Sequence, residues 1–286
     1  MNQGAKTGDL YGVTQGGGTF GFGTLYKWAA NGTFTVLRSF DNSNDGEFPQ
    51  WQLIQDKNGN LYGVAAAGGS IGYGTLFKYS KKGTFTVLYN FDVSGSGPSG
   101  RLAQDKKGNL YGVNRTGGTS TACFGHGCGS VYVVTPDGTF TTLYSFTNGD
   151  DGVGPVGGLT IDKTGNLFGT SGYGGSGGFG TVFVLSASGQ FATLFSFNNT
   201  NGNSPTGELL MLNSDLYTAV YTGGANNLGT VIKISTKGVG KVLHDFTEDD
   251  GGLPIGALVE NNSVLYGTAS SRGADGHGTV FSLKIK

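Results

Sequence analysis

The sequence predicts an all-β fold, a six-bladed β-propeller of four-stranded antiparallel blades forming one domain over residues 1–286. Three observations predict it. A Leu-Tyr-Gly type segment recurs at Leu10, Leu61, Leu110, Leu167, Leu216 and Leu265, with spacings by subtraction of 51, 49, 57, 49 and 49 residues. A fixed period of about 50 residues marks a repeat architecture. Each copy carries four short strand-like runs separated by turn residues, which is the content of a propeller blade. Several runs are apolar on both faces, as in Val131-Tyr132-Val133-Val134. Sheets stacked face to face bury both faces, whereas a two-sheet sandwich shows cleaner alternation.

The second copy shows each element in order. Strand one is expected over 51–55, and Asp56-Lys57-Asn58-Gly59-Asn60 turns, with Asn-Gly supplying residues that tolerate positive φ. Strand two covers 61–64, a glycine loop covers 67–72, and strand three covers 75–79. Lys82-Gly83 turns, and strand four runs over 84–91. Strands two and three are present six times. Strand four is present five times, ending at Phe40, Phe91, Phe146, Phe197 and Phe246, and strand one five times, near Leu53, Leu102, Leu159, Leu209 and Leu258. The first blade is therefore expected to lack strand one and the last to lack strand four.

Composition narrows the class. The 286 residues are 36% hydrophobic, 12% aromatic and 13% charged, with 56 glycines. Without a Gly-X-Y period this is not collagen, and with that aromatic content it is not a disordered linker. The net charge of −1 and the scattered lysines give no field for nucleic acid. No run approaches the ~18 apolar residues of a spanning helix, so no membrane insertion is expected. Met1-Asn2-Gln3-Gly4 has no apolar signal core, and only polar residues 1–9 stand where later copies carry strand one. The expectation is a removed leader and a shortened first repeat.

Asn60-Leu61-Tyr62-Gly63-Val64, Gly74-Thr75-Leu76-Phe77-Lys78 and Phe85-Thr86-Val87-Leu88-Tyr89 resemble the tandem repeat of the bacterial GloVer proteins, surface or secreted proteins found with various anchoring signals. The strand order is also similar to that of NHL-type propellers. The resemblance covers almost the whole chain and implies an extracellular or cell-surface location. It carries no established activity.

Several motifs mimic chemistry. Gly-x-Ser-x-Gly at 68–72 and 174–178 lies in loops with no following helix, so it is not a nucleophile elbow. The glycines of 16–21 mimic a dinucleotide fingerprint without the βαβ unit it needs. Cys123 and Cys128 flank Phe124-Gly125-His126-Gly127 in the longest loop. A metal site with His126 would need further convergent ligands, and the favoured reading is a local disulfide. The family resemblance implies the same pairing, and with it export. Asp41 with Asp45, Asp150-Asp151 and Asp249-Asp250 lead through Gly to Pro49, Pro155 and Pro254. Calcium would need six or more oxygens, and Asx turns need one side chain, so turns are favoured. No cofactor or metal is expected. His244 stands where other copies have Tyr89, Tyr144 or Phe195 and reads as a structural aromatic.

Function is expected where copies differ. Phe22, Tyr73 and Phe179 precede the Gly-Thr of strand three, where the other copies have Cys128, Leu228 and His277. Inter-blade packing is the favoured reading and stacking on a planar or sugar ligand the other. Just after strand two stand Gln15, Arg115, Tyr173, Tyr221 and Arg272. At the end of strand one stand Trp51, Gln52, Arg101 and Glu208 against Gly158 and Ala257. The ligand-binding residues expected are Trp51, Arg101, Arg115, Tyr173, Glu208, Tyr221 and Arg272, on the glycine-loop face near the axis. The leading expectation is a non-enzymatic recognition protein binding glycan or a surface protein. The alternatives are a polysaccharide or cyclic-peptide lyase or hydrolase using Arg101, Glu208, Arg115 or His277, by analogy with streptogramin lyases, and a structural subunit of a surface or secretion assembly.

Overall fold

The computed structural model describes residues 2–3, 8–123 and 125–285. Met1, residues 4–7 and Phe124, named above, lie outside them. The fold is all-β, and the helical element among the described residues is a single 3-10 turn, Val93–Gly95, capped by the Asp92 side chain accepting from the Ser94 N–H. The chain divides into two compact units, Met1–Ser145 and Phe146–Lys286.

Each unit holds three repeat copies, and each copy is an antiparallel sheet whose strands lie side by side in chain order. In the first unit the sheets are Asn2–Gln3, Leu10–Thr14, Thr24–Trp28 and Phe34–Ser39; then Glu47–Pro49 with Ile54–Gln55, Leu61–Ala67, Thr75–Tyr79 and Phe85–Asn90; then Pro98–Gln104, Leu110–Asn114, Ser130–Val134 and Phe140–Ser145. In the second unit they are Val153–Ile161, Leu167–Tyr173, Thr181–Leu185 and Phe191–Ser196; then Leu210–Leu212, Asp215–Val220, Thr230–Ser235 and Gly240–Asp245; then Gly252–Asn261, Val264–Ser271 and Thr279–Lys284. The first copy does have a strand one, contrary to expectation: Asn2 and Gln3 pair with Tyr11 and Leu10. Two residues are too few to show an alternating pattern.

The Leu-Tyr-Gly glycine is explained by the register. Gly63 pairs with Phe77, Gly112 with Tyr132, Gly169 with Phe183 and Gly267 with Phe281. The strand-three ring folds over the glycine from one side and a strand-one leucine closes from the other. A Cβ on Gly63 would lie 2.6 Å from Phe77 Cζ and 2.7 Å from Leu53 Cδ2. The fifth copy supplies the control. There Thr218 opposes Ile232, and the shorter side chain leaves room for a β-branched residue.

The strand-four phenylalanines knit neighbouring sheets inside each unit. Phe40, Phe91, Phe197 and Phe246 are fully buried. Phe40 meets Phe77 edge to face at 5.2 Å, Phe91 meets Tyr132 at 5.2 Å, and Phe246 meets Phe281 at 5.0 Å. Such pairs add roughly 0.5–1.5 kcal/mol each beyond burial. The prolines add a second contact. A Cβ on Gly23 would lie 2.8 Å from Pro49 Cδ, and one on Gly229 would lie 2.5 Å from Pro254 Cδ. The Gly of Gly-Thr is thus the seat for the proline of the next copy.

The residue before each of these prolines is left-handed: φ is 56° at Phe48, 65° at Gly97, 62° at Gly154, 57° at Ser204 and 53° at Leu253. This region costs side chains energy, and a following proline disfavours it further. It is held by a backbone bond to the preceding copy, from the Phe48 N–H to Phe22 O at 3.2 Å and from the Leu253 N–H to Leu228 O at 2.8 Å.

Strand one differs from the expected 51–55. It begins before the proline and then leaves the ladder. Ser99 pairs with Val113 and Ala103 with Tyr111, so three residues face one on strand two. Pro155 to Leu159 and Ile255 to Val259 repeat the same two-residue excess. In the second copy the ladder breaks between Pro49 and Ile54. Bulges of this kind re-aim side chains and recur beside active sites.

Candidate functional site

The stretch that leaves the ladder holds one equivalent position in five copies, the third residue after each proline: Gln52, Arg101, Gly158, Glu208 and Ala257; in the fifth copy it runs from the Asn203 bridge to Leu210. The next residue is always a buried leucine, and in four copies, Leu53, Leu102, Leu159 and Leu258, it closes over the glycine of strand two. The leucine is therefore fixed by packing, while the residue before it varies from nothing to a charge.

In the first unit, Arg101 is half-buried in the bulge of Pro98–Gln104, and Trp51 is half-buried and packs against the cluster of Val64, Leu76, Phe91 and Leu102. The Trp51 Nε1 donor is buried with no hydrogen-bond partner. Arg115 is exposed, and its N–H donates to Gly97 O at 2.9 Å.

In the second unit, Glu208 is half-buried. The glycines preceding the bulge position crowd together there. A Cβ on Gly157 would strike Gly207 O, and one on Gly207 would lie 3.2 Å from Gly256 O. Glycine lets the inner backbones approach this closely. Gly158 and Ala257, the equivalents of Glu208 in this unit, contribute almost no side-chain bulk, and Gly256 has open space where a Cβ would sit.

The residues after strand two separate. Arg115 and Tyr221 are equivalent, since the Tyr221 N–H reaches Ser204 O at 3.4 Å as Arg115 reaches Gly97. Tyr173 lies one residue further along its copy, opposite Val153, and is 53% exposed. Arg272 lies two residues further, at a position that is glycine in the other copies. Its bridge to His277 matches those of Gly17 to Phe22, Gly68 to Tyr73 and Gly174 to Phe179. Arg272 takes φ of 66° and pairs with Glu248 at 3.2 Å on the surface. Sequence spacing alone grouped these four too loosely.

The other motifs resolve as structure. Phe22, Phe179 and Leu228 pack into the inter-sheet clusters of their units, as the packing reading expects. Cys123 and Cys128 form a disulfide, which removes the thiolates that a metal reading with His126 requires. Asp45 accepts from the Arg38 guanidinium at 2.7 and 2.9 Å and from the Asp41 N–H. Asp151 and Asp250 accept from the N–H groups of Thr147 and Thr247, both at 2.7 Å. These aspartates close the links as turns. His244 bonds Asp250 at 2.7 Å and stands edge-on to Phe246 at 5.0 Å, an aromatic substitute in strand four. Among the described residues no group of three or more His, Cys, Asp or Glu side chains converges to hold a metal.

The sheets and their bulges define a tandem-repeat all-β protein. The chain belongs to the Gloeobacter/Verrucomicrobia repeat family, whose model matches residues 2–125 and 118–281. No curated protein matches the sequence. Among solved structures, the chain is similar to a gluconolactonase from Xanthomonas campestris, with 14% identity, a TM-score of 0.55, and coverage of 92% of this chain and 79% of that one. It is similar also to a candidate 6-phosphogluconolactonase from Bacteroides uniformis, with 15% identity, a TM-score of 0.58, and coverage of 97% and 82%. These likenesses show the fold. They also correct the expectation of a non-enzymatic recognition protein, because these two neighbours are a lactonase and a candidate lactonase.

Proposed function

We propose that this protein is a hydrolase acting on a small cyclic ester of the lactone class. The observation that carries the reading is the strand-one bulge, which puts a carboxylate, Glu208, where the equivalent residues of its unit are Gly158 and Ala257. The lactonase fold of the solved neighbours supports the reaction type. Glu208 acts as general base: it takes a proton from water, the water oxygen attacks the ester carbonyl carbon, and the ring C–O bond breaks. The ring oxygen receives the proton, and the product is a hydroxy acid. General-base catalysis contributes about 10²–10⁴-fold. Hydrolysis of glucono-δ-lactone and other aldonolactones, followed by acid release at constant pH, tests the proposal. Expected is turnover above the spontaneous rate that Glu208→Gln abolishes. No turnover of any lactone, or equal turnover by the variant, overturns it.

For the fold, we propose that the six copies are six blades of one propeller domain with an NHL-like strand order; the repeat count and the four-stranded sheets support this. We propose export as well. The disulfide is compatible with it, and among the described residues no helix is long and apolar enough to cross a membrane.

A further inference from the structure

In the first unit a cleft of about 420 Å³ opens at the strand ends that carry the one-to-two and three-to-four turns, away from the glycine loops. Its walls mix the apolar Tyr11, Leu37, Leu61 and Tyr79 with the polar Gln55, Asn58 and Ser80, and its lysines, Lys27, Lys57 and Lys81, face one acid, Asp56. The volume is in the range of small-ligand sites.

The charges are not equivalent. Lys27 is committed to Asp9 at 2.7 Å. Asp56 is saturated: its carboxylate accepts from the N–H groups of Asn58 and Asn60, both at 2.9 Å, from Asn60 Nδ2 at 2.8 Å and from the Tyr62 hydroxyl at 3.1 Å. Among the described residues Lys57 and Lys81 enter no ion pair, so their charge is available to a ligand. Lys81 is also positioned. Its N–H donates to Asn60 Oδ1 at 3.1 Å, and its stem lies over Gly59, where a Cβ would come 3.2 Å from Lys81 Cδ.

The repeat makes this composition informative. At the position of Lys81 the other copies carry Ala30, Pro136, Ala187, Thr236 and Ile285. At the position of Tyr79 they carry Trp28, Val134, Leu185, Ile234 and Leu283. The scaffold does not need a cation and a phenol at these two positions, whereas the lysine of the one-to-two turn recurs as Lys57, Lys106 and Lys163. We propose that this cleft binds an anionic monosaccharide, its acid group held by Lys57 and Lys81 and its ring laid against Tyr11 and Tyr79. Aromatic walls suit a sugar ring, and lysine ammonium groups hold carboxylate or phosphate as point charges.

The inference does not depend on Glu208, and its test keeps the two apart. Binding of D-glucuronate, glucose 6-phosphate, D-glucose and inorganic phosphate is measured by titration calorimetry on the wild type, on Lys57→Ala/Lys81→Ala and on Glu208→Gln. Expected is binding of an acidic sugar that exceeds both glucose and inorganic phosphate, weakens with added salt, and falls about tenfold or more in the double lysine variant. Glu208→Gln leaves it unchanged. The preferred acid, glucuronate or glucose 6-phosphate, identifies the anion. Acidic sugars binding no better than glucose, inorganic phosphate binding as tightly as both, or full binding by the folded double lysine variant overturns the proposal.

Discussion

The strand-two glycine and the strand-one bulge lie one strand apart and obey opposite rules. Gly63, Gly112, Gly169 and Gly267 sit in the ladder under an aromatic ring, and the single exception, Thr218, is matched by the smaller Ile232. Gln52, Arg101, Gly158, Glu208 and Ala257 sit off the ladder and share no chemistry. Close packing fixes a residue by its volume. A bulge takes a residue out of the strand register, so its side chain is not fixed by the volume of a cross-strand neighbour. In a repeat protein the packed ladder positions report how the chain folds, and the off-ladder positions are where the copies differ.

The largest effect that would break this contrast is at the packed glycine. Gly63→Ala puts a Cβ 2.6 Å from Phe77 and should destabilise by roughly 3 kcal/mol through overpacking. Ile232→Phe should cost a similar amount against Thr218. Urea unfolding measures both, and a loss below about 1 kcal/mol in each would mean the ring and glycine are not a matched pair.

Strain before the proline is a smaller and opposite effect. Phe48→Gly should stabilise by about 1 kcal/mol, since glycine occupies φ of 56° without the side-chain penalty. A lower melting temperature in Phe48→Gly would show that the ring's contacts outweigh the strain. Tyr132→Phe should be neutral or stabilising by up to about 1 kcal/mol. The Tyr132 hydroxyl is buried without a partner, and burial pushes its pKa far up. Phe77 and Phe183 already fill the equivalent place.

Acid sensitivity should come from the turns. Burial raises the carboxyls of Asp56, Asp105 and Asp162, but hydrogen bonds from Asn60, Asn109 and Asn166 and from the neighbouring turn outweigh it and leave all three below the ordinary 3.8. A lowered folded pKa means that this stabilisation is fully present above the unfolded value and is lost as pH falls from there through the folded pKa. The urea midpoint should therefore drop below about pH 4, and Asp105→Asn should flatten that limb. An unchanged acid limb in the variant would assign acid unfolding to other carboxylates.

Much of this was legible in the sequence. Strands two to four are readable because each run is bounded by turn residues and the aromatic and glycine recur together. The disulfide and the structural role of His244 are readable from position within the repeat. Strand one was misplaced because a bulge has no alternation, and its two halves read as a link and a short strand. The cleft was missed because lysines on turns look like solvated surface. The signal was Lys81 against Ala30, Pro136, Ala187, Thr236 and Ile285, at the strand ends opposite the glycine loops.

Under the proposed function, Glu208 carries chemistry that its sister copies, with Gly158 and Ala257, do without. The direct measurement replaces Glu208 by the residue of a sister copy, Glu208→Ala after Ala257, and reads lactone hydrolysis and thermal unfolding on the same sample. Expected is a loss of about 100-fold or more in kcat with a melting temperature close to that of the parent. Undiminished hydrolysis, or a collapse of folding with no separate effect on turnover, would contradict it.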